Sequence, residues 1–137
     1  MKSKLLILLI LLIISVFYSC GSNDHTESHP DLSKANKIRF DFKTDFDSTN
    51  KIIVISRELN DLKSISSVRN IITYDPFTYI YCTSSGSMSF YKDSILIVTM
   101  VFNTLPDQRH IAFNYNGKLT AMSLSDENAK LLDSFKN

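Results

Sequence analysis

Apolar and charged residues alternate from Ile38 through Arg39, Phe40, Asp41, Phe42 and Lys43 to Phe46. A period of two turns such a run into a strand with one buried and one wet face. Asp47-Ser48-Thr49-Asn50 supplies turn residues, and Lys51 to Ser56 (KIIVIS) is β-branched and nearly all apolar, which predicts a second, more central strand paired back on the first. From Arg57 the period lengthens. Leu59, Leu62, Ile65 and Val68 stand three apart, so a helix over residues 58–70 is expected to dock one face on the sheet. Ser64, Ser66 and Ser67 lower its propensity, so packing must hold it, and Asp75-Pro76 ends it. Strands are expected at 77–84, 87–92 and 94–102, separated by Ser85-Gly86 and Lys92-Asp93. Ile95 to Phe102 (ILIVTMVF), apolar on both faces, belongs in the middle of the sheet. Residues 109–115 and 118–124 flank Asn116-Gly117, a pair suited to the positive φ of a tight hairpin turn. Ser125 reads as an N-cap, with Asp126 and Glu127 in the first turn, Leu124 and Ala129 as a staple, and Leu131, Leu132 and Phe135 as the apolar side. The expected fold class is α+β: an antiparallel sheet of about six to seven strands (ββα, strand meander, C-terminal helix) with helices on one face.

Ahead of this domain, Leu5 to Tyr18 forms an almost unbroken apolar run behind Lys2 and Lys4, closed by Ser19-Cys20-Gly21. At roughly 1.5 Å per residue it extends about 21 Å as a helix, short of the roughly 30 Å of a bilayer core. It therefore suits a secretory leader better than a membrane span. The segment resembles the signal of bacterial lipoproteins, in the looser form of Bacteroidota-type sequences, where Ser19 supplies the small residue and Phe17 and Tyr18 are bulky. This resemblance covers about the first 20 residues. It implies that Cys20 is lipidated, that the chain is held on the membrane by this lipid anchor, and that Gly21 directs it toward the outer membrane of the cell envelope. The alternative is simple cleavage at Ser19-Cys20-Gly21, giving a soluble periplasmic protein. Residues 1–19 are thus expected to be signal peptide and 20–36 a lipidated cysteine with a flexible tether, since Gly21 to Asn36 offers little to bury. Residues 37–137 form a single domain, long enough for one modest core. The stretches SGSMSFYKDSILIVTMVFN and RHIAFNYNGKLTAMSLSDE are similar to those of small Bacteroidota-type lipoproteins of unassigned role, which implies no activity.

Charge narrows the range of partners. The formal net charge is +1, with no block of like charges, so no electrostatic footprint for nucleic acid exists and none is expected as a partner. The chain has two cysteines. With Cys20 acylated, Cys82 stands alone, lies in an alternating run, and is read as a small buried hydrophobe without a local base. His25 and His29, with Asp24, Glu27 and Asp31, carry ligand chemistry but sit in the expected tether, which cannot fix a metal geometry. No metal or cofactor is expected. His110 is read as a strand-surface histidine without a sequence-local partner. The alternation of Arg39, Asp41, Lys43 and Asp45 is that of a solvated strand face rather than a carboxylate pair for catalysis. Asp47-Ser48-Thr49 and Asp93-Ser94-Ile95 resemble the O-glycan acceptor motif of exported Bacteroidota proteins.

One set of side chains stands out as a partner surface. Phe77, Tyr79 and Tyr81 share a face of their expected strand, and rigid rings with polar tips suit contact with a protein or glycan partner. No constellation supports a catalytic residue. The expected function is a lipid-anchored cell-envelope protein with a small non-catalytic binding or structural domain. The alternatives are a small inhibitor- or immunity-like domain, or a soluble periplasmic enzyme in which Cys82 or His110 would face a pocket beside a base.

Overall fold

A computed structural model of the chain describes residues 29–46, 48–78 and 83–137. Among these, six strands and two helices form an α+β domain. The strands are β1 (Lys37–Phe46), β2 (Ile52–Leu59), β3 (Gly86–Lys92), β4 (Ile95–Asn103), β5 (His110–Tyr115) and β6 (Lys118–Ser123); the helices are α1 (Leu62–Asn70) and α2 (Asp126–Ser134). The sheet runs β2-β1-β3-β4-β5-β6, with every neighbouring pair antiparallel.

The alternation of β1 is realised directly: Ile38, Phe40 and Phe42 are buried while Arg39 and Lys43 face solvent. Register carries this inward side across the sheet, since Phe40 stands opposite Met88, Met88 opposite Met100, Met100 opposite Phe113, and Phe102 opposite Ile111. Ile65, Val68 and Ile71 from the α1 region, and Ala129 and Leu132 from α2, join the same core cluster. Both helices therefore cover one face, as the apolar periods predict. Phe135 stacks on Phe40 at 5.5 Å, fastening the end of α2 over β1.

Local signals set most element ends. Ser125 accepts a hydrogen bond from the Asn128 amide and caps α2. Asn116 and Gly117 both have positive φ in the β5–β6 turn, the conformation expected of that pair. Gly86 is required by close approach: a Cβ there would lie 2.7 Å from the Asp41 carbonyl oxygen and 2.8 Å from the Phe102 ring.

Several expectations are corrected. KIIVIS is an edge strand, not a central one, because the chain leaves β2 for α1 and nothing among the described residues pairs outside it. β2 also runs on to Leu59, so α1 begins four residues later than its period suggested; Arg57 and Leu59 are held opposite Phe40 and Ile38, and Asp61 caps the helix by accepting from the Ser64 amide at 2.8 Å. Residues 77–78 and 83–84 are not strand. Pro76 instead bridges Met122, and the chain lies briefly along the outer edge of β6. The segment expected to be tether through Asn36 packs from His29 onward: Leu32 and Ala35 enter the core, and Asn36 exchanges side-chain hydrogen bonds with Asp93 at the β3–β4 turn. Cys20, His25, Asp47, Tyr79, Tyr81 and Cys82 lie outside the described residues. Among the described residues no helix is long and apolar enough to cross a membrane.

Candidate functional site

The sheet ends in a cleft of about 700 Å³. β1 contributes Phe42, Lys43, Thr44 and Asp45, β2 contributes Ile52, the approach to β3 contributes Thr83, Ser84 and Ser85, the exit of β4 contributes Thr104 and Leu105, and the end of α2 contributes Asp133 and Lys136. An extra residue in β1, between Lys43 and Phe46, re-aims this wall, a frequent use of a β-bulge beside a site.

Asn103 organises the back of the cleft. It is 0% exposed, and its amide is fully used. Its Oδ1 accepts from the Leu105 amide at 2.9 Å and the Ser85 hydroxyl at 3.3 Å, while its Nδ2 donates to the Gln108 side chain at 3.2 Å and to the Thr83 carbonyl. A buried amide with all its partners rigidifies what surrounds it. Ser85 in turn accepts from the Thr104 amide at 3.0 Å, and the Thr104 hydroxyl reaches Asp133 at 3.0 Å. The backbone of Ser85 joins the sheet on both sides, accepting from the Lys43 amide and donating to the Phe102 carbonyl.

The cleft thus presents a row of hydroxyls between two lysines and two carboxylates over an apolar floor. The Lys43 ammonium donates to the Ser84 hydroxyl at 2.6 Å. A serine activated by lysine needs that lysine stripped of water, whereas Lys43 is exposed. The arrangement suits holding a ligand that has both donors and acceptors. Among the described residues, no group of three histidine, cysteine, aspartate or glutamate side chains is gathered for a metal ion.

The residues singled out from sequence lie elsewhere. Phe77 is half-buried, and its ring stacks flat on His110 at 5.3 Å. His110 is the partner in that stack and is 1% exposed; it is not a surface histidine. Its Nδ1 lies 2.7 Å from the Gln108 carbonyl oxygen, and it does not line the cleft. Arg39 and Asp41 form a solvent-side pair at 3.3 Å, with Ser56 donating to the same Asp41 oxygen. Lys43, from the same alternating face, was legible only as a wet residue; its role in the cleft depends on Ser84, 41 positions away.

A shallower hollow of about 400 Å³ lies between Pro30–Ser33, the end of α1 and Tyr74. Tyr74 has a φ of 59°, a costly conformation for a bulky residue. It is held there by His29, stacked at 4.0 Å, and by the edge of Phe113 at 6.3 Å. Burial pushes its phenol above the ordinary tyrosine value. Arg69 straps the entering chain by donating to the Ser33 carbonyl at 2.9 Å. Asp31 caps the turn there; hydrogen bonds from the Ser33 hydroxyl, then from Lys34, hold its carboxyl below the usual range.

No family model matches this chain, and no curated protein or solved structure matches it either.

Proposed function

We propose that this chain is a lipid-anchored cell-envelope protein whose domain binds a polar partner in the cleft between β1, β4 and α2 without transforming it. The observation that carries the binding role is the pre-built wall of the cleft. Asn103, Ser85, Thr104 and Asp133 form one continuous hydrogen-bonded chain, so the site loses little freedom when a ligand settles, which favours binding. Lys43 and Lys136 line the cleft as donors to carboxylate or hydroxyl oxygens, and Ile52 and Leu105 offer apolar contact. A short oligosaccharide or a peptide segment fits this mixture. The support for the anchor is the leader, Lys2 to Cys20.

Two measurements test the proposal. Amide chemical shifts of the full chain are followed during titration with neutral and acidic oligosaccharides and short peptides. The expected perturbations centre on Lys43, Ser84, Ser85 and Thr104 and are lost in a Lys43→Ala, Lys136→Ala variant; perturbations centred elsewhere would refute the cleft. For the anchor, radiolabelled palmitate is expected to enter the wild-type chain but not Cys20→Ala, and equal labelling of both would refute lipidation at that cysteine.

A further inference from the structure

Exposed aliphatic side chains stand at both ends of the sheet. Ile52 and Leu105 belong to the cleft. At the opposite end, Ile95 and Leu62 are the most exposed large hydrophobic residues among those described, at 73% and 72%, and Leu96 follows at 51%. Ile38 pairs with Leu59 and with Phe90, and Phe90 pairs with Val98, so Leu62, Ile95 and Leu96 all lie beyond one rung of the sheet. None of the three packs against the core cluster.

The N-terminal strap is fastened at this same end. The Asn36 amide donates to the Tyr91 carbonyl at 2.9 Å, and the Asn36 side chain donates to Asp93 Oδ1 at 2.9 Å while accepting from the Asp93 amide at 2.8 Å. Asn36 thereby holds the β3–β4 turn that carries Ile95 and Leu96. Lysines stand around these side chains: Lys37 lies over the Tyr91 ring at 4.9 Å, and Lys63 and Lys92 are exposed. The carboxylates of Asp61 and Asp93 are engaged internally, by the Ser64 amide and by Asn36.

We propose that this end of the domain rests on the bilayer, with Leu62, Ile95 and Leu96 in the headgroup region and the cleft turned away from it. The inference rests on the reading of Cys20 as the lipid anchor. Chain length selects the occupant. Cys20 is nine residues ahead of His29, where packing begins, and such a stretch reaches at most about 30 Å whatever its shape. A domain of this size is roughly 35 Å across, so that reach is too short to pass round it from the strap to the cleft end. The end nearest the anchor is therefore the end that carries these aliphatic side chains. Apolar groups settle about 5–10 Å into the boundary between headgroups and acyl chains, while lysine stems lie along it with their ammonium groups in water. Tyr91 beneath Lys37 suits the same depth, having an apolar ring and a polar tip. Three such side chains bind weakly alone, but the inserted lipid makes their contact intramolecular, so they set the orientation of the domain.

The chain contains no tryptophan, so a single introduced one reports its own surroundings. The full-length lipidated chain is placed in phosphatidylethanolamine–phosphatidylglycerol vesicles whose upper acyl carbons carry bromine, a short-range quencher. Ile95→Trp and Leu62→Trp are expected to lose at least about half of their emission, whereas Asp107→Trp, exposed in the β4–β5 connection at the cleft end, loses less than about a tenth. Adding Ile95→Asp and Leu96→Asp to Leu62→Trp is expected to bring its quenching down to the Asp107→Trp level. The circular dichroism spectrum should not change, because both side chains are exposed, and the chain should still float with the vesicles. Equal quenching of Ile95→Trp and Asp107→Trp in a floating chain overturns the orientation and leaves the anchor standing. A chain that neither floats nor takes up labelled palmitate overturns the anchor, and this inference with it. An unquenched Ile95→Trp whose emission shifts to the blue only when envelope extract is added gives this end to a protein partner, which also overturns the proposal.

Discussion

β2 and β4 carry the two most continuous aliphatic runs in the domain, yet β2 is exposed except at half-buried Ile55 and Leu59, whereas β4 supplies Val98, Met100 and Phe102 to the core. Apolar content alone does not place a strand. β4 is flanked by β3 and β5, and its inward side is closed by the helical layer; β2 has β1 on one side only. Even within β4 the contrast recurs, since Ile95 and Leu96 at the β3–β4 turn are exposed while Val98, Met100 and Phe102 further along are buried. What differs is the number of neighbours the topology supplies, and that number decides how much transfer free energy a methyl group returns.

Mutations can break or sharpen this contrast. The largest effect is expected from Phe102→Ala in β4, which removes a ring packed edge-on against Phe40 and Phe42 at 6.3 and 5.7 Å. It should cost about 3–5 kcal/mol in urea unfolding. Asn103→Ala, one residue on, should cost about 2 kcal/mol by leaving the Leu105 amide and the Thr83 carbonyl short of partners; it should also blunt ligand-induced shifts at Ser85 and Thr104. Gly86→Ala forces a methyl against the Asp41 carbonyl and the Phe102 ring, with an expected loss of about 1–3 kcal/mol. Val54→Thr in β2 should change monomer stability by no more than about 0.5 kcal/mol. A loss above about 2 kcal/mol there would mean that β2 is buried in solution rather than open.

pH probes two further points of the domain, one beside β2 and one on the strained Tyr74. Asp61, just beyond β2, has its carboxyl held below the ordinary aspartate value, mainly by the Ser64 amide. Its contribution is present above the unfolded value and is lost as pH falls through the lower folded value, so acid should fray the start of α1 first. Tyr74 behaves in the opposite sense: its raised phenol keeps its contribution below the unfolded value, near 10, and loses it as pH rises through the folded one. Hydrogen exchange at α1 amides in acid, and at residues 72–76 in alkali, reads the two separately.

Much of the fold was legible because its signals are local. The β1 alternation, the Asn116-Gly117 turn and the Ser125 cap each depend on a few adjacent residues, and each stands as expected. The misplacements share one cause. The edge position of β2, the stacking of Phe77 on His110 and the docking of Leu32 and Ala35 all depend on residues far away in sequence. The cleft was not legible at all, since Asn103 reads as a loop residue at a strand end and Lys43 as one charge among four. Only the fold brings Thr83 and Ser85 to Asn103, and Ser84 to Lys43.

By itself, then, the sequence determined most of the segments that are strand or helix, where several turn, and which side of β1 faces inward. Those choices follow from backbone conformation and from periods of two and three to four residues, both properties of neighbours along the chain. Tertiary structure decided the order of the strands, which edge stays open, and which polar side chains meet in the cleft. Those depend on contacts between segments whose closure entropy is offset only when the core assembles as a whole, so no local pattern encodes them.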